Sequence, residues 1–321
     1  MAERLITRPL RAVERFVFAP EDARRLAALR IGLFGLLAVR LASSDAGSVA
    51  GQPQALFDPV SVFEVLPEMP SVGLTAAVQA VGVAAALVAA AGLWPRASFP
   101  VAFAAALFLN LMLNATGKII HNEVVLMLCL LPLLATPRAA SRAWALELPG
   151  RARAGARMRS AQRGQLVGEA YGWPIRTAMV VIALAYMFVG LQKLRFSGLD
   201  WVTTENLRWV LYASSDAQAE PNGVALFVAD RALLAHLLAA ATIAVELGFV
   251  LCLPFARLRW LLVPAAVGLH LGIWLGMELD YSAQALAVII VFVNWVVVAE
   301  SMRAWADRRR LAGAPRSEAT R

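Results

Sequence analysis

Lys193 and the three histidines of the chain are the residues best suited to acid–base chemistry. Lys193 ends the apolar run TAMVVIALAYMFVGLQ, although only two of the 30 basic residues are lysines. A lysine in apolar surroundings can lose its proton because desolvation disfavours the charged amine, whereas the guanidinium of arginine stays protonated. Lys193 therefore stands where a removable proton would be useful, and we consider it first as a general base.

Simpler interpretations of these residues stay open. A lysine at the end of an apolar helix commonly snorkels towards the membrane surface, and a lone helical histidine commonly hydrogen-bonds a neighbouring carbonyl. His236, flanked by ALLA and LLAA, is interpreted in this structural way.

The composition predicts an all-α membrane protein. Hydrophobic residues make up 60% of the chain, charged residues 16%, and the mean hydropathy is +0.65, whereas a soluble domain is about half apolar and a quarter charged. The first 25 residues contain six arginines and no apolar run of signal-peptide length, so we expect no cleaved leader. Cys129 and Cys252 lie in apolar segments and are interpreted as packing residues.

Apolar segments of membrane-spanning length recur along the chain, since a helix needs about 20 apolar residues to cross the hydrocarbon core. The predicted spans are 26–43, 72–93, 97–115, 121–137, 175–194, 231–253, 258–277 and 282–300, and the fourth is the shortest. We therefore expect a polytopic protein with about eight transmembrane helices. A basic segment over 1–25 precedes the transmembrane domain over 26–300, and a basic tail over 301–321 follows it.

The basic residues predict the orientation of these spans. With both termini in the cytoplasm, 23 Lys and Arg residues fall on the cytoplasmic side, five fall outside, and Arg30 and Arg40 lie within the first span. Loops rich in basic residues stay in the cytoplasm, so we predict a multi-pass protein of the cell membrane (the inner or plasma membrane). Topology thus explains the net charge of +8, which gives no support to nucleic-acid binding.

The predicted topology brings several polar residues into one outer layer. These are His121 with its neighbour Asn122 at the start of the fourth span, Lys193 at the end of the fifth, and His236 and His270 in the sixth and seventh. Ionisable groups inside spans cost roughly 2.5–3.5 kcal/mol each, so they usually face a cavity or a partner. We therefore predict an outward-facing, lipid-accessible pocket around Lys193.

Glu246 differs because it falls in the inner half of the sixth span, in AVELGFVLCLP. It is interpreted either as a structural partner of Arg30 or Arg40 or as a functional group.

The segment after Lys193, LRFSGLDWVTTENLRWVLYASSD, predicts a short interfacial helix across the mouth of this pocket. Its tryptophans, Trp201 and Trp209, would lie at headgroup depth, and Arg208 would be able to meet an anion. A plain aromatic belt is the alternative interpretation.

Other chemistries lack their motifs. The sequence has no H-x-x-x-H or C-x-x-C pair, so we predict no metal site. It has no G-x-S-x-G nucleophile motif, Walker loop or dinucleotide-binding fingerprint either. No inverted repeat of the kind found in many transporters is visible, which leaves transport the weakest of the hypotheses.

The segment AYMFVGLQKLRFSGLDWVTTENLRWVL resembles the lysine-bearing segment of the vitamin K-dependent gamma-carboxylases and of their bacterial relatives, the horizontally transferred transmembrane (HTTM) domain proteins. FDPVSVFEVLP, KIIHNEVVLMLCLLPLL and GLHLGIWLGMELDYSAQALAV resemble further family segments in the same order. The resemblance covers roughly residues 26–295. The short tail implies a form that lacks the extracytoplasmic C-terminal domain of the carboxylases.

The resemblance implies a reaction and a set of residues. The family base that deprotonates a reduced vitamin K matches Lys193, a functional histidine of the family falls at His121, and His270 matches a histidine of the seventh-span motif. The implied cofactor is reduced vitamin K or a menaquinone-like quinol, without a metal. Oxidation of the quinol to its epoxide would be coupled to carboxylation of a glutamate, and the glutamate substrate or a separate extracytoplasmic protein would be the partner.

Two hypotheses of function follow. The first is a quinol-oxidising enzyme with Lys193 as base, His121 orienting it, and His270, Asn122, Arg208 and Trp201 binding the substrate. The second is a non-catalytic membrane protein that binds a quinone or another lipid. Lys193→Arg would abolish activity under the first hypothesis and be tolerated under the second, where only the charge matters.

Overall fold

The computed structural model describes residues 11–117, 121–136 and 167–312, and side chains as far as 309. These residues are mostly helical, and strands occur only as the pair β1 (Glu21–Asp22) and β2 (Val167–Gly168). Lys118, most of the arginine-rich connection before the fifth span, and the ends of the predicted basic segments (1–10 and 313–321) lie outside the described residues.

In chain order the helices are α1 (Ala23–Ala42), α2 (Ala46–Ala50), α3 (Val72–Ala90), α4 (Pro95–Leu113), α5 (Val124–Ala135), α6 (Glu169–Ser197), α7 (Asp200–Thr203), α8 (Asn206–Asp216), α9 (Gly223–Ala229), α10 (Ala232–Gly248), α11 (Arg259–Met277), α12 (Ser282–Phe292) and α13 (Trp295–Ala312). Short 3₁₀ turns follow α2 and α10, and another precedes α11.

Within the described ranges, six segments are long and apolar enough to cross a membrane, and α12 with α13 makes a seventh if the pair, bent by 70°, is one span. Helix α5, predicted as a span over 121–137, has 12 residues. At 1.5 Å per residue that is about 18 Å, short of a hydrocarbon core of about 30 Å. The predicted multi-pass helical architecture is confirmed at this level, and the count of eight spans stays a prediction.

Helix α1 lies at the centre of the bundle. It packs against α3, α4, α5, α6 and α12, and its Leu26, Leu33 and Phe34 are fully buried there. The Phe34 ring lies 4.6 Å from the ring of Phe99 on α4, between centroids. On one side of α1, helices α6, α10, α11 and α12 contact one another in a closed ring, which positions the candidate site.

The lateral segment predicted after Lys193 is helical. Helices α7, α8 and α9 pack on one another and on α10 and α11, around a small cluster of Leu211, Ala225 and Ala229 that is separate from the main core. They cover one end of the ring of helices.

The start of α1 is tied to the start of α6 at the other end of the bundle. Strand β1 pairs with β2 in antiparallel register. At Gly172 the two segments of backbone approach so closely that a Cβ would lie 1.9 Å from the carbonyl oxygen of Ala19, so only glycine fits.

Glu21 is positioned by this pairing between two arginines. Its Oε1 accepts a hydrogen bond from Arg25 Nη1 at 2.5 Å and another from Arg176 Nη2 at 2.6 Å. Burial alone would raise the pKa of the Glu21 carboxyl, but the bonds and charges of Arg176 and Arg25 lower it below its ordinary value.

We expect Glu21→Gln to lower the free energy of unfolding at pH 7 by about 1–3 kcal/mol, because two part-buried guanidinium groups lose their counter-charge. Since the folded state lowers the pKa of Glu21, its contribution is present above about pH 4.3 and is lost as the pH falls through the folded pKa. Thermal unfolding of the wild type and the variant in detergent at pH 7 and pH 4 measures the loss of stability and its decrease at low pH. Glu300→Gln is the matched control, because the Glu300 side chain is 53% exposed in its pair with Arg24, and equal losses in both variants would contradict the expectation.

Candidate functional site

A cavity of about 780 Å³ lies between α6, α10, α11 and α12, beneath the lateral helices. Its walls are mainly apolar, with aliphatic side chains such as Val189, Val245 and Leu269. The ionisable side chains that reach it are Lys193, Glu246, Tyr186, His270, Tyr281 and His121. The structure thus brings Lys193, His121, His270 and Trp201, four of the residues predicted from sequence, to one cavity.

Lys193 and Glu246 form an ion pair in this wall. The Lys193 amine donates a hydrogen bond to Glu246 Oε1, and the two side chains are 21% and 6% exposed. The amine also lies 5.2 Å from the ring centroid of Trp201, a cation–π contact. Of the two interpretations of Glu246, the pairing with Arg30 or Arg40 is therefore wrong, and the functional one stays open.

Arg40 has other partners. Its guanidinium binds Glu123 at 2.6 Å and Asp280 at 2.5 Å. Arg30 is fully buried, and its Nε donates to the carbonyl oxygen of Ala90 at 3.2 Å. The sequence placed Lys193 at the outer end of the fifth span and Glu246 in the inner half of the sixth. In the structure, α6 and α10 are shifted along each other so that the two side chains meet.

Gly190, almost one turn before Lys193 on α6, allows this approach. A Cβ at Gly190 would lie 3.0 Å from Glu246 Cβ and 3.0 Å from Leu247 Cδ2 on α10. These distances are tighter than ordinary van der Waals contact, so even a methyl group here requires Glu246 or Leu247 to shift by a few tenths of an ångström, and a larger side chain presses on α10.

We expect Gly190→Val to separate α6 from α10 and to lower the free energy of unfolding by about 1–3 kcal/mol. Gly35→Val on α1 is the matched control, because nothing lies within 4 Å of a Cβ at that position. Denaturant unfolding of both variants in detergent measures the difference. Equal stability of the two variants would show that α6 and α10 adjust without strain.

Tyr186 and His270 form a second polar pair beside the first. The Tyr186 hydroxyl lies 2.6 Å from His270 Nε2, and its ring stacks on Phe249 with 4.6 Å between centroids. His270 is 8% exposed, and its Nδ1 is buried without a hydrogen-bond partner among the described residues. This nitrogen can donate or accept, depending on the tautomer.

His121 and Tyr281 stand at the edge of the cavity. The Tyr281 hydroxyl lies 3.4 Å from His121 Nε2, and the Tyr281 ring is 5.9 Å from that of His270, between centroids. Burial raises the pKa of the Tyr281 hydroxyl. His121, Tyr281, His270 and Tyr186 therefore follow one another from the edge of the cavity towards the Lys193–Glu246 pair.

Asn122 does not line the cavity. The Asn122 Nδ2 donates to the carbonyl oxygen of Asp280 at 2.9 Å. The Arg40 guanidinium binds both Glu123, which follows Asn122, and the Asp280 carboxylate. Asn122 therefore holds the turn that carries His121 against the turn that carries Tyr281.

Arg208, predicted to meet an anion at the pocket mouth, is used within the lateral helices. Its Nε donates to the carbonyl oxygen of Ala229 at 2.5 Å, and its Nη1 pairs with Glu205. His236 is close by, with Nε2 3.1 Å from the carbonyl oxygen of Thr204. Both residues hold the lateral helices together. Arg208 is not among the residues that line the cavity, and the anion-binding role predicted for it stays a prediction.

The sequence interpretation missed Tyr186 and Tyr281. Tyr186 precedes Lys193 by seven residues, two helical turns, which puts both on one face of α6, and that spacing is a signal that could have found it. Tyr281 lies in a turn, where periodicity carries no information.

The polar atoms of the cavity provide both donors and acceptors. Three of them are buried without a partner among the described residues: Glu246 Oε2, His270 Nδ1 and Trp201 Nε1. In the described part of the chain, no group of three His, Cys, Asp or Glu side chains is arranged to hold a metal ion. The arrangement suits an apolar ligand that carries a hydrogen-bonding head.

Comparison with known proteins adds no assignment, because no family model, curated protein or solved structure matches this chain.

Proposed function

We propose that the cavity binds a lipid-soluble quinol and that Lys193, acting with Glu246, removes a hydroxyl proton from it. The observation that carries this proposal is the Lys193–Glu246 pair in the wall of an otherwise apolar cavity. Buried ionisable groups in membrane helices are expensive and mark functional sites by default.

The cavity fits a quinol ring in size and polarity. Its volume of about 780 Å³ lies within the range of ligand pockets, about 300–1,000 Å³. A quinol hydroxyl both donates and accepts, and the buried Glu246 Oε2 and Trp201 Nε1 are an acceptor and a donor that have no partner among the described residues. The apolar walls suit the ring and its hydrocarbon substituents.

The ion pair with Glu246 requires Lys193 to lose a proton before it can act as a base. A carboxylate at hydrogen-bond distance stabilises the ammonium form of a lysine, and an ammonium cannot accept a proton. Lys193 therefore acts as a base only after its own proton has passed to Glu246 or to solvent. Tyr186 and His270, bonded to each other at 2.6 Å, orient the second side of the ligand.

The quinol, when bound, would supply the electrons that reduce oxygen, so that quinol and O₂ give quinone epoxide and water. The resemblance to the gamma-carboxylases is the reason for proposing this oxidation, and coupling to glutamate carboxylation would follow the same family pattern. A separate extracytoplasmic protein would then present the glutamate.

We further propose eight membrane crossings with both termini in the cytoplasm of the cell membrane. The excess of basic residues on one side supports this topology. It requires α5 to cross together with residues that flank it in the sequence, and α12 with α13 to be one bent span. The cavity would then open to the outer side.

A second candidate, binding of a quinone or another lipid without catalysis, is favoured by the same ion pair. If Lys193 remains an ammonium, the pair serves to hold a polar head and to close the cavity wall. The two candidates share a binding step and differ in turnover.

Filling the cavity tests the shared step. Gly268 lines the cavity, and nothing lies within 4 Å of a Cβ built on it, so Gly268→Phe should enter the cavity without disturbing the backbone. We expect this variant to bind a short-chain menaquinol analogue at least about 10-fold more weakly, as followed by quenching of tryptophan fluorescence.

Gly73→Phe is the matched control, because Gly73 on α3 also has an open Cβ position and does not line the cavity. Its affinity should equal that of the wild type. Equal affinities in all three proteins, or no binding to folded wild-type protein, would place the ligand elsewhere and remove the basis of both candidates.

A further inference from the structure

At the end of the bundle away from the cavity, the described residues include a cluster of arginines with fewer carboxylates than guanidinium groups. The arginine cluster consists of Arg25, Arg176 and Arg259, with Glu21 among them. Arg176 and Lys193 lie 17 residues apart on α6, which is about 25 Å along the helix. The cluster is therefore separate from the candidate site.

Two of these arginines donate hydrogen bonds to the same carboxylate oxygen. Glu21 Oε1 accepts from both Arg25 and Arg176. Arg259, at the first residue of α11, donates from Nε to the carbonyl oxygen of Cys252 at 2.9 Å, and it lies within electrostatic reach of Arg25, Arg176 and Glu21. Three positive charges and one negative charge leave the four side chains with a net charge of +2.

The cluster also contains unused donors. Arg25 Nε and Arg176 Nε are buried, and neither has a hydrogen-bond acceptor among the described residues. The Arg25 side chain is 10% exposed and the Arg176 side chain 19%, so water compensates their charge poorly. Buried like charges and unpaired donors are both costly unless an anion completes them.

We propose that the arginine cluster binds a phosphate group, held by the guanidinium groups of Arg25, Arg176 and Arg259. Guanidinium groups pair with phosphate oxygens through two parallel N–H bonds, which makes arginine suited to this ligand. The cluster lies at the ends of three helices of membrane-spanning length, α1, α6 and α11, where phospholipid headgroups lie, and basic pockets between such helices bind anionic lipids. The same chemistry would accept a soluble phosphate compound.

Arg259 is the residue to replace, because Glu21, Arg25 and Arg176 keep their bonds without it. The unfolding temperature of the protein is measured in a zwitterionic detergent to which phosphatidylglycerol, phosphatidylcholine or inorganic phosphate is added. We expect phosphatidylglycerol to raise the unfolding temperature of the wild type by about 5 °C, and phosphatidylcholine to have no such effect. A similar rise with inorganic phosphate would identify a soluble phosphate compound as a ligand of the same cluster.

Arg257→Gln is the matched control for Arg259→Gln, because Arg257 is exposed two residues earlier on the same turn. The rise should persist in Arg257→Gln, fall below half in Arg259→Gln, and take an intermediate value in Arg259→Lys, which keeps the charge but loses the paired bonds. Equal rises in Arg257→Gln and Arg259→Gln would overturn the proposal. So would the absence of a rise with both phosphatidylglycerol and inorganic phosphate.

Discussion

Lys193→Met is expected to lower the free energy of unfolding by about 2–4 kcal/mol. The substitution leaves the Glu246 carboxylate, whose side chain is 6% exposed, without its counter-charge. The expected loss is somewhat smaller than the about 3–5 kcal/mol of a broken, fully buried pair, because the Lys193 side chain is 21% exposed and the unpaired carboxyl can take up a proton. Denaturant unfolding in detergent, at a pH near 7, measures the change.

Glu246→Leu in the Lys193→Met background should recover most of the lost stability, because an apolar pair of similar size has no charge to desolvate. The double-mutant cycle then isolates the energy of the pair. Glu205→Gln is the matched control, because its pair with Arg208 lies at the surface, with the Glu205 side chain 44% exposed, and it should cost less than about 1 kcal/mol. A Lys193→Met loss no larger than that of the control would mean that the two side chains do not form a buried pair.

Lys193→Arg is expected to abolish quinol oxidation, by at least about 100-fold, while the protein keeps its stability. A guanidinium can maintain the ion pair with Glu246, but it cannot lose its proton at accessible pH. The rate of quinol consumption in lipid nanodiscs, together with the unfolding temperature, separates the chemical effect from a folding defect.

Arg195→Lys is the matched control for this substitution, because Arg195 is exposed on the same helix two residues later. It should oxidise the quinol at the wild-type rate. Full activity in Lys193→Arg would contradict a base at this position and would favour the non-catalytic candidate, in which charge alone matters.

The sequence predicted the helices well because apolar run length is a local property. The helices α3, α4, α6, α10 and α11 lie where long apolar runs were found. Helix α5 is shorter than predicted because turns, and not helix, carry His121 to Glu123. The last predicted span is bent by 70° between Phe292 and Trp295, where the Val297 amide bonds the Asn294 side chain at 3.4 Å and a new helix begins.

The candidate site was predictable only in part. Lys193, His121 and His270 were predicted because an ionisable residue in or beside an apolar segment is conspicuous, and Trp201 because it falls in the predicted interfacial helix. The pairing of Lys193 with Glu246 depends on how α6 crosses α10 at Gly190, and a single sequence does not contain the relative shift of two helices. The same limit applies to Arg208, whose partners Glu205 and Ala229 belong to the packing of the lateral helices.

Incorporation of oxygen into the quinone distinguishes catalysis by Lys193 from binding alone. Wild-type protein in nanodiscs is given a reduced menaquinone with ¹⁸O₂, and the quinone fraction is examined by mass spectrometry. We expect quinone epoxide with one ¹⁸O atom, formed faster than in empty nanodiscs and absent with Lys193→Arg. Folded, quinol-binding protein that forms no labelled epoxide above the empty-nanodisc level would contradict the catalytic proposal and leave a binding protein in its place.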